Sequence, residues 1–317
     1  MRLVPLLSLL VLLSGCTTPT AAPAWSEPVT VGHLGAADLT ESSGFAPSRR
    51  AANLLWSHND SGGEPVIYAV GADGADRGRV RIADATNNDW EDIASFTFDG
   101  QAYLLIADTG DNRAVRTDCR LYVIAEPDPA TLAPGRELTV PIAWEIPVRY
   151  TDHPRDCESV SVDAAEKAVY LLSKREHPVG LYRLPLRPEM TGSAPAAAFL
   201  TKVEKIPQPT GPRLLVEGPP GRMAGMPVGM DFAADGSAAV VLTYMDVLLF
   251  PRQAGESWAA ALTRPPQQLK AVSLPQAESV CFSADAHEIY VTTEAERAPV
   301  VRYRLAPTVR DPLASRP

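Results

Sequence analysis

The chain has 317 residues and a formal net charge of −9, from 38 acidic and 29 basic side chains. That balance excludes a nucleic-acid partner, because phosphate binding depends on clustered Lys and Arg. With 30 prolines, 21 glycines and no long segment of 3.6-residue hydrophobic period, a helical bundle is also excluded, and short strands joined by turns are expected.

In chain order, Arg2 gives a thin positive start, Leu6 to Leu13 is an apolar run broken only by Ser8, and Leu13-Ser14-Gly15-Cys16 ends it on small residues and a cysteine. The run is too short to span a bilayer and reads as a secretion signal. It resembles a bacterial lipoprotein signal, which implies that Cys16 carries lipid and becomes the first residue of the mature chain. A location in the bacterial cell envelope follows, lipid-anchored and facing the periplasm or the exterior. The alternative is a conventional signal peptide with a chance cysteine. Residues 17–28, rich in Pro, Thr and Ala, read as a tether, residues 29–306 as one domain and 307–317 as a C-terminal tail.

Within the domain one phrase recurs: ESSGFAPS from Glu41, WEDIASF from Trp90, CESVSVD from Cys157, PVGMDFAAD from Pro227 and AESVCFSAD from Ala277. Each copy is followed by a turn and an apolar run, the mark of one supersecondary unit used repeatedly. A third strand in each unit carries an aromatic, Tyr68, Tyr122, Tyr182, Phe250 or Tyr303, expected to pack between neighbouring sheets. Outer strands are expected at GRVRIAD, LTVPIAWEI, AAFLTKVEKI and QQLKAVSL. The fifth unit lacks one, and Val29–Leu34 is free to supply it. The fold class predicted is therefore all-β, a β-propeller of five four-stranded blades closed by the N-terminal strand. The alternative is six blades, with one drawn from the Pro- and Gly-rich residues 190–226.

Innermost strands of a propeller line its channel, so the repeated Glu41, Glu91, Glu158 and Glu278 are expected to form a ring, broken by Val228 with Asp231 nearby. The ends of the second strands add His58, Asn59, Asp60, Asp108, Asp111, Lys174, Tyr244 and Glu294 to the same mouth. Four converging carboxylates repel unless cations or hydrogen-bond donors neutralise them. Two readings stand side by side: a structural ring paired with backbone N–H groups or with Arg155, Lys174 and Arg175, and a cation or ligand site. The oxygen-only set Glu41, Glu91, Asp108, Asp111 and Glu158 suits Ca²⁺ or another divalent cation rather than Zn²⁺. Lys174 reads as a counter-ion before a nucleophile, and His58 lacks a partnered nucleophile. Besides Cys16 there are three cysteines, of which Cys119 and Cys157 are expected to pair in a disulfide and Cys281 to be buried.

The strings SHNDSG, DWEDIA, IADTGDN and LYVIAEP resemble a group of largely uncharacterised bacterial secreted or lipid-anchored propellers. More distantly, the repeated Glu resembles the regucalcin and gluconolactonase superfamily and NHL-type propellers. In the gluconolactonase group a Glu-Gly-Pro glutamate on the first strand binds a divalent metal. Glu41 is the position that matches, followed here by Ser-Ser-Gly. Three functional classes follow as expectations: a lipid-anchored propeller binding a small ligand or envelope protein at an acidic channel mouth, with Ca²⁺; a metal-dependent hydrolase of a lactone, ester or phosphoester; and a structural envelope or assembly component. No nucleophile elbow, zinc-protease motif, P-loop or dinucleotide fingerprint is present.

Overall fold

The computed structural model describes residues 24–189, 195–208 and 223–306. The signal segment with Cys16, most of the tether, the tail and most of the Pro-rich stretch 190–226 lie outside them.

Five sheets, antiparallel except for one added strand, arise directly from the five repeated phrases. Strand β1 (Val29–His33) precedes blade one, which comprises β2 (Ser42–Pro47), β3 (Leu54–Asn59), β4 (Val66–Gly71) and β5 (Asp76–Ile82). Blade two is built from β6 (Trp90–Phe98), β7 (Gln101–Asp108) and β8 (Arg120–Ala125), followed by β9 (Glu137–Val140) and β10 (Trp144–Pro147). Blade three is β11 (Cys157–Asp163), β12 (Ala168–Ser173), β13 (Val179–Pro185) and β14 (Ala198–Val203). Blade four is β15 (Pro227–Phe232), β16 (Ala238–Thr243), β17 (Val247–Pro251) and, after helix α1 (Trp258–Thr263), β18 (Gln267–Gln268). Blade five is β19 (Ala277–Phe282), β20 (Glu288–Thr293) and β21 (Pro299–Arg304), completed by β1, whose Val29 pairs with Arg302. Five blades closed by the N-terminal strand is thus the architecture.

The hairpins follow from local sequence. Asp99 and Gly100 both have positive φ, 49° and 79°, the pair of left-handed residues that a tight two-residue turn demands. The core is five apolar clusters, one in each wedge between neighbouring blades. The recurrent aromatics Tyr68, Tyr122, Tyr182, Phe250 and Tyr303 are all buried there. Removing such an aromatic side chain from water contributes about 3 kcal/mol, so these positions help hold the ring of blades together.

Three details depart from the sequence reading. The expected outer strand LTVPIAWEI is two strands: β9 leaves blade two and pairs in parallel with β5 of blade one, while β10 completes blade two. Pro141 falls between them and has no N–H to continue a ladder. Glu137 fixes the crossing, with Arg79 Nε at 3.0 Å and Arg81 Nε at 2.7 Å. In blade four only Gln267–Gln268 pair as an outer strand, and α1 packs against β14 of blade three and β17, Trp258 stacking on Phe232 of β15 at 3.7 Å. Cys119 and Cys157 form no disulfide; both are free and buried in the wedge between blades two and three. The Cys157 thiol instead lies 3.5 Å from Leu172 O, and burial pushes it up to about 12, so it stays protonated. Cys281 is buried and free, as expected.

Candidate functional site

One end of the channel receives the starts of the innermost strands and the ends of the second strands. There the ladders slip by one residue: Trp90 pairs with Asp108 but Asp92 with Ala107, leaving Glu91 unpaired between them. The same slip leaves out Glu158, Val228 and Glu278. A bulge re-aims the extra side chain and turns the next residue the other way. The repeated glutamate is therefore a bulge residue.

Blade one keeps the slip but places a different residue in it. Ser42 pairs with Asn59 as Trp90 pairs with Asp108, so Ser43, not Glu41, occupies the bulge position. Ser43 donates to Glu91 O at 3.3 Å. Glu41 stands just ahead of β2 and is exposed, although its charge is felt by Asp60 and Glu294. Asn59 is spent on local structure, accepting from the Thr40 and Glu41 N–H groups at 3.0 Å and donating to Asp38 O at 2.7 Å.

Glu91, Glu158 and Glu278 are buried, and electrostatics show that they share one site with Asp60, Lys174, Tyr244 and Glu294. The site divides into two halves. Toward blades three and four the acids are neutralised: Lys174 Nζ contacts Glu158 Oε1 and donates to Tyr244 Oη at 3.0 Å, and Arg175 Nε lies 2.5 Å from Asp156. Burial would lower Lys174, but Glu158 more than offsets it and keeps the ammonium charged, which removes it as a nucleophile. Glu158 is pushed above the usual carboxylate range by burial and by Asp156 and Glu278, against the pull of Lys174. Arg155 serves Asp152 and Glu176 rather than the glutamates.

Toward blades five, one and two neutralisation is weaker, Arg116 pairing with Asp108 and acting on Asp89 only at a distance. Oxygens of Asp60, Asp89 and Glu91 lie within 4.8 Å of one another. Among the described residues none of the three forms an ion pair. Burial pushes Asp60 up to about 7, helped by Asp89, Glu278 and Glu41. Burial raises Asp89, with Arg116 opposing, and raises Glu91 well above its ordinary value, with Glu158 and Asp60 adding to it. Glu294, pushed up to about 9 by burial and by hydrogen bonding to Glu278, extends the acidic arc. A second triad, Glu91, Asp156 and Glu158, shares Glu91 with the first.

Three observations bear on whether oxygen-seeking cations fit. All donors in the first triad are carboxylates, suited to Ca²⁺ or Mg²⁺. Buried oxygens go unpartnered here, Asp60 Oδ1, Asp108 Oδ2 and Glu158 Oε2 among them. Gly110 completes the cradle, since a methyl group at its Cα would overlap Glu91 Oε1 and Asp89 Oδ2.

The other expected site residues have local duties. Asp108 accepts from Arg116 Nη2 at 2.8 Å and from the Asp89 N–H at 3.2 Å. Asp111 accepts from the N–H groups of Val115 and Arg116 at 2.9 and 2.8 Å, so the DTGDN run is a hydrogen-bonded turn. His58 faces away from the mouth, fully buried, edge-on to Trp90 at 5.7 Å, with burial lowering it to about 4. It stays neutral and out of reach of a ligand. Asp231 also lies below the mouth, accepting from the Phe282 and Phe232 N–H groups at 2.9 Å. The residues not singled out as ligands, Asp89 and Asp156, have a signal after all: Asp-Trp-Glu and Asp-Cys-Glu repeat one Asp-x-Glu spacing.

No protein-family model matches the chain, and no curated protein matches its sequence. Similar solved structures include a luciferin-regenerating enzyme, 10% identical with a TM-score of 0.43 over 89% of this chain and 95% of that one. A gluconolactonase from Xanthomonas campestris is 12% identical, with a TM-score of 0.42 over 84% and 72% of the two chains. The Pan2 WD40 domain of Neurospora crassa is 8% identical, with a TM-score of 0.43 over 89% and 97%. At these scores none of them carries a functional inference.

Proposed function

We propose that this chain is a lipid-anchored, extracytoplasmic propeller that binds one divalent cation, calcium by preference, at its acidic channel mouth, and through it a small ligand or an envelope partner. The observation that carries the reading is the Asp60, Asp89 and Glu91 triad, three converging carboxylates that form no direct ion pair among the described residues. Desolvated like charges cost free energy, and a bound dication converts that repulsion into attraction. Lys174 and Arg175 neutralise the neighbouring triad, which favours a single ion beside Glu91.

Isothermal titration of the calcium-stripped protein is expected to give one calcium per chain. Gly110→Ala is expected to abolish the heat by filling the cradle, and Glu91→Gln by removing the shared ligand. Absence of saturable calcium or magnesium binding to the wild type would defeat the proposal. The anchor rests on the Leu13-Ser14-Gly15-Cys16 sequence. Expressed in bacteria with its signal, the wild type is expected in the detergent-soluble membrane fraction and Cys16→Ser in the aqueous one; equal partitioning of the two would remove the anchor.

A further inference from the structure

The opposite end of the channel holds both arginines and carboxylates. A cavity of about 530 Å³ opens there, among the turns that follow the innermost strands of blades two, three and four. That volume suits a small organic molecule. Arg49, on the turn after β2, reaches beneath the channel to blade two, where its Nε donates to Ser95 Oγ at 2.9 Å and its Nη2 to Ser95 O at 2.9 Å. Its charge also favours the ionised form of the buried Asp231 of blade four, against the effect of burial.

Among the described residues Arg49, half-buried, forms no ion pair, and its side-chain hydrogen bonds are made by Nε and Nη2 alone. The other charged groups of the cavity are already committed. Arg252 is held by Asp163 at 3.1 Å and Glu166 at 2.7 Å, and its guanidinium lies 4.3 Å from the centre of the Trp258 ring. Trp258 in turn stacks on Phe232 and donates from Nε1 to Asp163 at 2.8 Å. Asp235 accepts from the Ser237 N–H at 3.0 Å within its own turn. The wall is thus rigid and internally satisfied, and Arg49 is the cation with donors to spare.

The geometry points to a second binding site, on the face away from the acidic mouth, for a small organic monocarboxylate held by Arg49. A guanidinium presents a fork that matches a carboxylate. One free cation inside a rim carrying Asp163, Glu166 and Asp235 matches a single negative charge and disfavours a phosphate dianion or a polyanion. This site is independent of the cation triad and needs no metal.

N-acetylglycine, titrated into the wild-type protein in EDTA and followed by NMR shifts, is the probe. Saturable binding is expected, with N-acetylglycinamide, the same body without the charge, at least about tenfold weaker. Arg49→Gln is expected to weaken the acid by about tenfold and Arg49→Lys by less, while Glu91→Gln leaves it unchanged. No saturation by about 50 mM, or equal affinity for acid and amide, overturns the site. So does an Arg49→Gln protein that melts normally and binds the acid like wild type. If that variant does not fold, the acid and amide comparison on the wild type still decides.

Discussion

Calcium at about a hundredfold excess over its dissociation constant is expected to stabilise the folded protein by about 2.7 kcal/mol, roughly 5 °C in melting temperature. The rise is expected to vanish in Glu91→Gln and in Asp89→Asn, which keep the fold but lose a ligand. The same triad dictates a pH dependence. Asp60 is pushed up to about 7 in the fold, above its unfolded value near ~4, so between these limits the folded state holds more protons than the unfolded state. Stability in EDTA must therefore fall as pH rises through that window, and Glu91, raised in the same direction, steepens the fall. After allowance for solvent screening, Asp60 alone contributes roughly 2 kcal/mol to this loss. Calcium binds the ionised form, so its stabilising effect is expected to be larger at pH of about 8 than about 5. Thermal melts across that range, with calcium and with EDTA, check both parts. A melting temperature that rises with pH in EDTA, or a calcium effect that survives Glu91→Gln, contradicts the site.

Asp92→Ala is expected to cost more than any substitution at the mouth, about 4 kcal/mol, roughly 7 °C. Asp92 is buried at the centre of the ring, where Oδ2 accepts from the Val160 N–H of blade three at 2.8 Å and the Met230 N–H of blade four at 3.3 Å. Its Oδ1 accepts from the Ile93 N–H at 2.9 Å. One side chain thus joins three blades. Its loss leaves backbone donors buried without acceptors in addition to a cavity. Asp92→Asn, keeping a single acceptor oxygen, is expected to lose about half as much. Urea denaturation reads the effect as a lower midpoint. A midpoint within about 0.5 kcal/mol of wild type for Asp92→Ala would show that the acid does not join the blades.

Glu91 and Asp92 stand next to each other in the sequence, both acidic and both buried, yet one faces the mouth and the other stitches the ring. Nothing local distinguishes them. The one-residue slip against β7 turns Glu91 toward the mouth and Asp92 toward the axis, and that slip exists only once the strands are paired. Glu41 illustrates the same point from the other side. It heads its copy of the repeated phrase, but pairing of Ser42 with Asn59 puts it ahead of the strand and gives the bulge to Ser43. Asp89 and Asp156 were legible as a repeated Asp-x-Glu spacing. Their division into an open triad and one closed by Lys174 and Arg175 was not, because the two cations come from the end of β12, distant in sequence from Glu91.

The amino-acid sequence by itself determined the five-blade propeller and its closure. Those features rest on local periodicity, turn residues such as Asp99-Gly100, and a missing outer strand that only Val29–His33 could supply. The tertiary structure alone decided where β9 goes, which carboxylates remain without a counter-charge, and that Arg49 faces a cavity at the far end of the channel. Each of these depends on strand register and on contacts between blades far apart in the chain, where the side chains that neutralise one another meet only after the ring has closed.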